Sequence, residues 1–242
     1  MCQDNAVLSR RPPEGPLVTS VADTTVTPSL SLAMREGSRA EHEAAENSTF
    51  MSELLDGKLN ADAYAALLLR LHRVYDALEA AVREQAADPL VAAVHDAALE
   101  RLAAIEADLT HWAPGTDPAG VDSPAASAYA TRLRAAGEWG GLLVAHHYTR
   151  YLGDLSGGQV IGRILTRTFD LPEGVGVAFY EFPGIPKPKP YKDAYRARLD
   201  DLGLDAAGIE AVVAEVKVAF NLNQALFAEL SADIEDYRRL DS

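Results

Sequence analysis

The sequence holds a single cysteine, Cys2, among 242 residues. Intramolecular disulfides and thiolate metal clusters are therefore excluded, and a reducing cytoplasm fits. No apolar run approaches the roughly 18 residues of a membrane span, so no membrane anchor is expected. The arginines of "SRR" at 9–11 could open an export signal, but the following "PPEGPLVTSVADTT" has no apolar core segment, which rejects that reading. Basic charge is scarce: 22 lysines and arginines against 36 acids leave a net charge of −14. A nucleic-acid partner, which calls for a broad basic surface, is not expected. Alternating β-branched segments are scarce too, which argues against sheet structure.

What is abundant is Ala, Leu, Glu and Arg at helical spacing from about residue 28 onward. Neither an internal repeat nor a Gly/Ser-rich linker divides the chain. The expectation is one all-α domain over residues 27–242, a monomeric helical bundle, behind a flexible polar tail at 1–26. Capping residues place the helices. Thr27-Pro28 opens one that runs to about Asn47, and Asn60 opens a long one. Asp88-Pro89 begins another that reaches roughly His111, and Ser123-Pro124 one that fades near Gly137. A glycine-bearing helix covers about 140–168. A proline-rich loop follows, then a short helix at about 191–203 and a last one after Asp205.

The glycine-bearing helix poses a chemical question. Its segment "YLGDLSGGQ" holds Gly153, Gly157 and Gly158 within six positions. Each glycine costs a helix roughly 0.5–1 kcal/mol relative to alanine. Two readings fit the pattern equally: a close crossing with another helix, or a flat ligand lying directly on the backbone. Asp154 lies one turn from Gly157 and Gly158, in surroundings too apolar for a fully exposed carboxylate. A partly buried carboxylate needs hydrogen-bond partners, and it can hold water beside a ligand.

Six histidines are present and no HExxH pattern, so a zinc site is poorly supported. His42 has Arg35 seven residues before it and Glu46 four after, which predicts one shared helix face. Glu46 is then placed to accept the second N–H of a ligating imidazole. His146, on the helix of Asp154, is the rival ligand, and spacing alone does not choose between them. Residues 187–198, "KPKPYKDAYRAR", carry a local charge of +4 through Lys187, Lys189, Lys192, Arg196 and Arg198 against Asp193. Such a run is either a solvated face or a clamp for carboxylates or phosphates.

Taken together, these segments resemble the haem oxygenase family. "YTRYLGDLSGGQ" resembles its distal-helix signature over the whole length, and "RAEHEAAENSTFM" the segment of its proximal histidine. "VYDALE", "FPGI", "YKDAYRARL" and "AFNLNQALFAEL" follow in order, so the likeness covers roughly residues 29–231. The resemblance implies an all-α fold with haem between a proximal and a distal helix. It implies cleavage of haem to biliverdin, carbon monoxide and ferrous iron. Dioxygen is the co-substrate, and electrons come from a ferredoxin or ferredoxin reductase, or from a flavin-reductase-type donor.

By the same resemblance His42 is the iron ligand. Asp154 organises distal water with Tyr75 and Arg150, and Gly153, Gly157 and Gly158 lie over the haem. Arg35, Tyr148, Lys192 and Arg196 match propionate contacts, and Phe220 and Asn223 line the pocket. Arg35 stands where the family often has lysine, and His147 where some relatives have alanine. The alternatives are a haem carrier that does not degrade its ligand, and a haem-free enzyme of thiaminase-like fold.

Overall fold

A computed structural model describes residues 28–239. The tail expected at 1–26, the Thr27 cap and Cys2 lie outside the described residues. The sequence-predicted caps within them form as read. Asn60 Oδ1 accepts from the Ala63 N–H (3.0 Å) and starts α4 (Ala61–Glu84). Asp88 starts α5 (Pro89–Val94), Ser123 starts α7 (Pro124–Ala136) and Asp205 starts α11 (Ala206–Ala232). Each cap oxygen satisfies a first-turn N–H that has no partner within its helix. The basic segment forms α10 (Pro188–Asp200).

Three stretches differ from the expected elements, each for a local or tertiary reason. The first helix is two: α1 (Leu30–Gly37) and α2 (Arg39–Glu46). Between them the Ser38 hydroxyl donates to the Met34 carbonyl (2.7 Å) while its own backbone leaves the helical region. Such side-chain competition weakens a helix and often bends it. Arg35 and His42 therefore lie on separate helices. The segment after Asp88 divides as well, into α5, a 3₁₀ turn at Ala97–Leu99 and α6 (Leu102–Trp112). The start of α6 is capped from a distance: buried Glu79 of α4 accepts the N–H groups of Arg101 (2.6 Å) and Leu102 (2.9 Å). The glycine-bearing helix is α8 (Gly140–Gly153), a π turn (Asp154–Gly158) and α9 (Gln159–Phe169). Two short helices, α3 (Thr49–Leu55) and α12 (Ile234–Tyr237), have no counterpart in the sequence reading.

The assembly is all-α, and one antiparallel bridge, Leu59 with Arg238, is its only β pairing among the described residues. α11 lies along α8 and also meets α2 and α7, while α4 packs on α6 and α7. The core between them buries Tyr64, Tyr75, Tyr129, Tyr151 and Tyr195 completely. On α4, Leu67, Leu71 and Tyr75 recur every four residues and so share one face, which points toward α8 and the π turn.

Candidate functional site

An open cleft with a cavity volume of about 150 Å³ lies between α2 on one side and α8 with its π turn on the other. His42 and Glu46 line it from α2, Leu67 and Leu71 from α4, and Phe220, Asn223 and Phe227 from α11. Gly153, Asp154, Gly157 and Gly158 form the facing wall, with Arg150 at its inner end. Most of the lining is apolar, which favours a large apolar ligand.

His42 is the histidine that reaches this cleft. Its side chain is half exposed, and the Phe220 ring packs edge-on against it (5.3 Å between centroids, 82°). Glu46 Oε1 lies 3.6 Å from Nε2, close enough to orient the imidazole electrostatically. Nε2 is thus the ring nitrogen that faces Glu46.

The three glycines divide into two kinds. A Cβ on Gly153 or Gly157 would meet nothing within 4 Å, so both leave bare backbone facing open space. A Cβ on Gly158 would come within 2.9 Å of the Tyr180 ring, and one on Gly162 within 3.1 Å of Tyr180 Cβ. The glycine pattern thus serves both purposes at once. It leaves bare backbone facing the cleft, and it lets Tyr180 pack against the backbone behind. Gly157→Ala is expected to leave stability unchanged or raised by about 0.5 kcal/mol, the helix-propensity gain. It should nevertheless weaken ligand binding about ten-fold or more, because its methyl fills the cleft. Gly158→Ala is expected to cost about 1–3 kcal/mol of stability by overpacking. Urea melts of the ligand-free variants, beside ligand titrations, separate the two effects.

At the inner end a buried polar network closes the site. The Tyr75 hydroxyl donates to Asp154 Oδ2. Arg150 Nε donates to the Tyr75 oxygen (3.1 Å), and its Nη1 to Asn223 Oδ1 (2.7 Å). Arg150 Nη2 also stands 3.6 Å from Asp154 Oδ1. Burial pushes the Asp154 carboxyl up, and Arg150, the Tyr75 bond and Arg101 oppose that shift. Burial likewise works against the Arg150 charge, but Tyr75 and Asp154 outweigh it and hold the guanidinium protonated. The result is a carboxyl group with a raised proton affinity at the edge of an apolar cleft.

A family model described as "Heme oxygenase" matches residues 28–229. The chain belongs to the haem oxygenase family. It is 38% identical to "Heme oxygenase 2" of Synechocystis sp. over 86% of this chain and 83% of that protein. It is 40% identical to human "Heme oxygenase 1" over 83% of this chain and 71% of that one. Among solved structures, heme oxygenase-2 from Synechocystis sp. in complex with heme and NO superposes with a TM-score of 0.82 at 36% identity, covering 86% and 88% of the two chains. Heme oxygenase from Leptospira interrogans gives 0.80 at 36% identity, covering 84% and 100%. Haem oxygenases are enzymes that cleave haem to biliverdin, carbon monoxide and iron, and so is this one. No described helix is long and apolar enough to cross a membrane.

Within the haem oxygenase fold the two adjacent histidines of α8 lie outside the cleft lining. His146 is fully buried, with Nε2 2.7 Å from Glu215 Oε1, and Arg132 grips the same carboxylate from α7. It is committed to the core, which removes the rival to His42. Burial alone would raise Glu215, but the bonds from His146 and Arg132 outweigh it and bring the carboxyl down to about 2. A depressed carboxyl stabilises the fold above its unfolded value, near 4.5, and that contribution is lost as pH falls toward 2. The shift corresponds to stability on the order of 3 kcal/mol. Glu215→Gln is therefore expected to lower the urea midpoint at pH 7 and to flatten its fall between pH 5 and 3. An equally steep fall in the variant would remove Glu215 from the acid response.

The residues matched to propionate contacts are not in the cleft lining. Lys192 Nζ donates to the Ser156 hydroxyl (2.8 Å) on the π turn. Arg196 pairs with Asp193 (3.2 Å), which Lys189 also holds (3.0 Å). Arg35 pairs with Glu36 (3.3 Å) and is largely exposed. Burial raises the Tyr148 phenol, and the charges of Arg196 and Arg35 pull it back, which brings these three residues into one electrostatic neighbourhood. Sequence reasoning missed Met51, Thr149, Phe179, Tyr180 and Phe227 in the lining. Helical spacing could have found Phe227, seven residues after Phe220 on the same face of α11. Tyr180 sits in a 3₁₀ turn inside a loop without periodicity, and no local pattern marks it.

Proposed function

We propose that this haem oxygenase holds haem in the cleft with His42 as the iron ligand and Gly153 and Gly157 against the opposite face. The observation that carries this reading is the shared cavity: one available imidazole, apolar walls and two glycines whose missing Cβ atoms leave open space. These residues fit a flat apolar disc with one axial ligand. When bound, haem supplies the site of oxygen activation and is itself the molecule oxidised.

The protein's own residues do the rest. Glu46 orients the His42 imidazole. Phe220 and the leucines of α4 exclude bulk water from the haem faces. Asp154, held by Tyr75 and Arg150, anchors water on the distal side and passes protons through it. Asn223 fixes Arg150, and Gly158 admits Tyr180 behind the distal wall. Arg35, Tyr148, Lys192 and Arg196 bind the propionates at the mouth, where carboxylates stay hydrated and charge-assisted bonds form. The reaction draws on an external electron donor. A ferredoxin, with its reductase, or a flavin reductase fills that role for a monomer in the cytoplasm, consistent with the lone cysteine.

The test is a haem titration of the ligand-free protein followed by reductant and dioxygen. Loss of the Soret band with growth of a biliverdin spectrum is expected. A Soret band that persists under turnover conditions would leave only a haem carrier.

A further inference from the structure

Lys192 and Arg196 act on haem only if their helix, α10, is fixed relative to the distal helix, and one buried side chain of α8 is built to fix it. The His147 imidazole is 1% exposed. A buried polar ring costs free energy unless it is bonded, and an apolar side chain would fill the space more cheaply. Its Nδ1 lies 2.8 Å from the hydroxyl of Tyr195. The two rings are nearly parallel, at 8° with 5.7 Å between centroids. Tyr195 is itself fully buried, and it sits on α10 between Lys192 and Arg196.

The other ties of α10 lead elsewhere. The Tyr191 hydroxyl donates to Asp96 (2.7 Å) and Arg198 Nε to the Ala93 carbonyl (2.8 Å), which hold α10 against α5 and the turn after it. Asp200 accepts from the Ser31 N–H (2.7 Å) on α1. Lys192 reaches the π turn. Among the described residues, the His147–Tyr195 bond is the one hydrogen bond joining α10 directly to α8. α8 also carries Arg150 and Gly153, so this bond references the carboxylate-binding helix to the wall that lies over the haem.

We propose that His147 is a positioning residue for haem orientation: through Tyr195 it sets where α10 presents Lys192 and Arg196 relative to Gly153 and Gly157. Which edge of the porphyrin lies under the distal wall follows from that distance, and so does the biliverdin isomer formed. This inference rests on the propionate role given above to Lys192 and Arg196.

The experiment compares His147→Ala, Tyr195→Phe, their double variant and Lys192→Ala with Arg196→Ala. Tyr195→Phe keeps the ring and removes only the hydroxyl, so it decides the matter if His147→Ala does not fold. Two quantities are read: the ratio of biliverdin isomers by chromatography, and amide hydrogen exchange of residues 191–197 without haem. Loss of one net hydrogen bond should raise the minor-isomer share about five-fold in each single variant. The double variant should go no further, because both changes remove the same bond. α10 amides should exchange faster in both single variants. A native isomer ratio and native exchange in Tyr195→Phe, while Lys192→Ala with Arg196→Ala mixes the isomers, would overturn the inference and leave the propionate reading intact. An unchanged isomer in the Lys192/Arg196 variant would overturn the propionate reading, and this inference with it.

Discussion

Asp154→Ala is expected to bind haem almost as the native chain does and to form biliverdin about 10²–10⁴-fold more slowly, the range for loss of a positioned proton-transfer group. Binding survives because the substitution removes neither the His42 ligand nor an apolar wall. Turnover should fall because the proposed anchor for distal water is removed. The Tyr75 hydroxyl donates to Asp154, and Arg150 pairs with the same carboxylate (3.6 Å). Without it Arg150 keeps Asn223 and the Tyr75 oxygen, neither of which can take up and release a proton at neutral pH. With hydrogen peroxide, the variant should instead oxidise an added phenol, because undirected proton delivery favours O–O cleavage over attack on the ring. Asp154→Asn should retain part of the activity, since an amide still holds water. The deciding measurement is the product spectrum of Asp154→Ala under reductant and dioxygen. Biliverdin at the native rate would take Asp154 out of the chemistry.

His42→Ala is expected to lose nearly all turnover, a larger loss than the roughly 10–100-fold that removal of an outer partner such as Glu46 gives. Haem should still enter, since Phe220, Phe227 and the α4 leucines supply the apolar contact area and that term does not depend on the ligand. The histidine-ligated iron spectrum should vanish, and added imidazole should restore part of the activity by occupying the space the side chain left. His146→Ala provides the contrast. It should lower stability, because Glu215 loses a buried partner, and leave the iron spectrum unchanged. Normal turnover in His42→Ala together with an altered iron spectrum in His146→Ala would reverse the assignment.

The candidate site is legible in the sequence wherever its signal is local. His42 and Glu46 are four residues apart, Asp154 sits one turn from Gly157 and Gly158, and "YTRYLGDLSGGQ" is contiguous. Nothing local distinguished His42 from His146. That choice depends on Glu215, 69 residues away in the chain, whose carboxylate claims His146 for the core. Tyr180 was invisible for the same reason: its place behind Gly158 is set by a loop fold and carries no repeat.

The fold divides along the same line. By itself the sequence determined the helical class, the starts after Asn60, Asp88, Ser123 and Asp205, and the long apolar face of α4. These follow from capping and periodicity, which involve neighbours within a few residues. Only the tertiary structure decided the start of α6, the packing against Gly158 and the seating of α10 against α8. Each depends on a side chain far away in sequence: Glu79 at the α6 N-terminus, Tyr180 against Gly158, and His147 bonded to Tyr195. A buried polar group must find its partner wherever the packed chain places it, and no short-range pattern encodes that address.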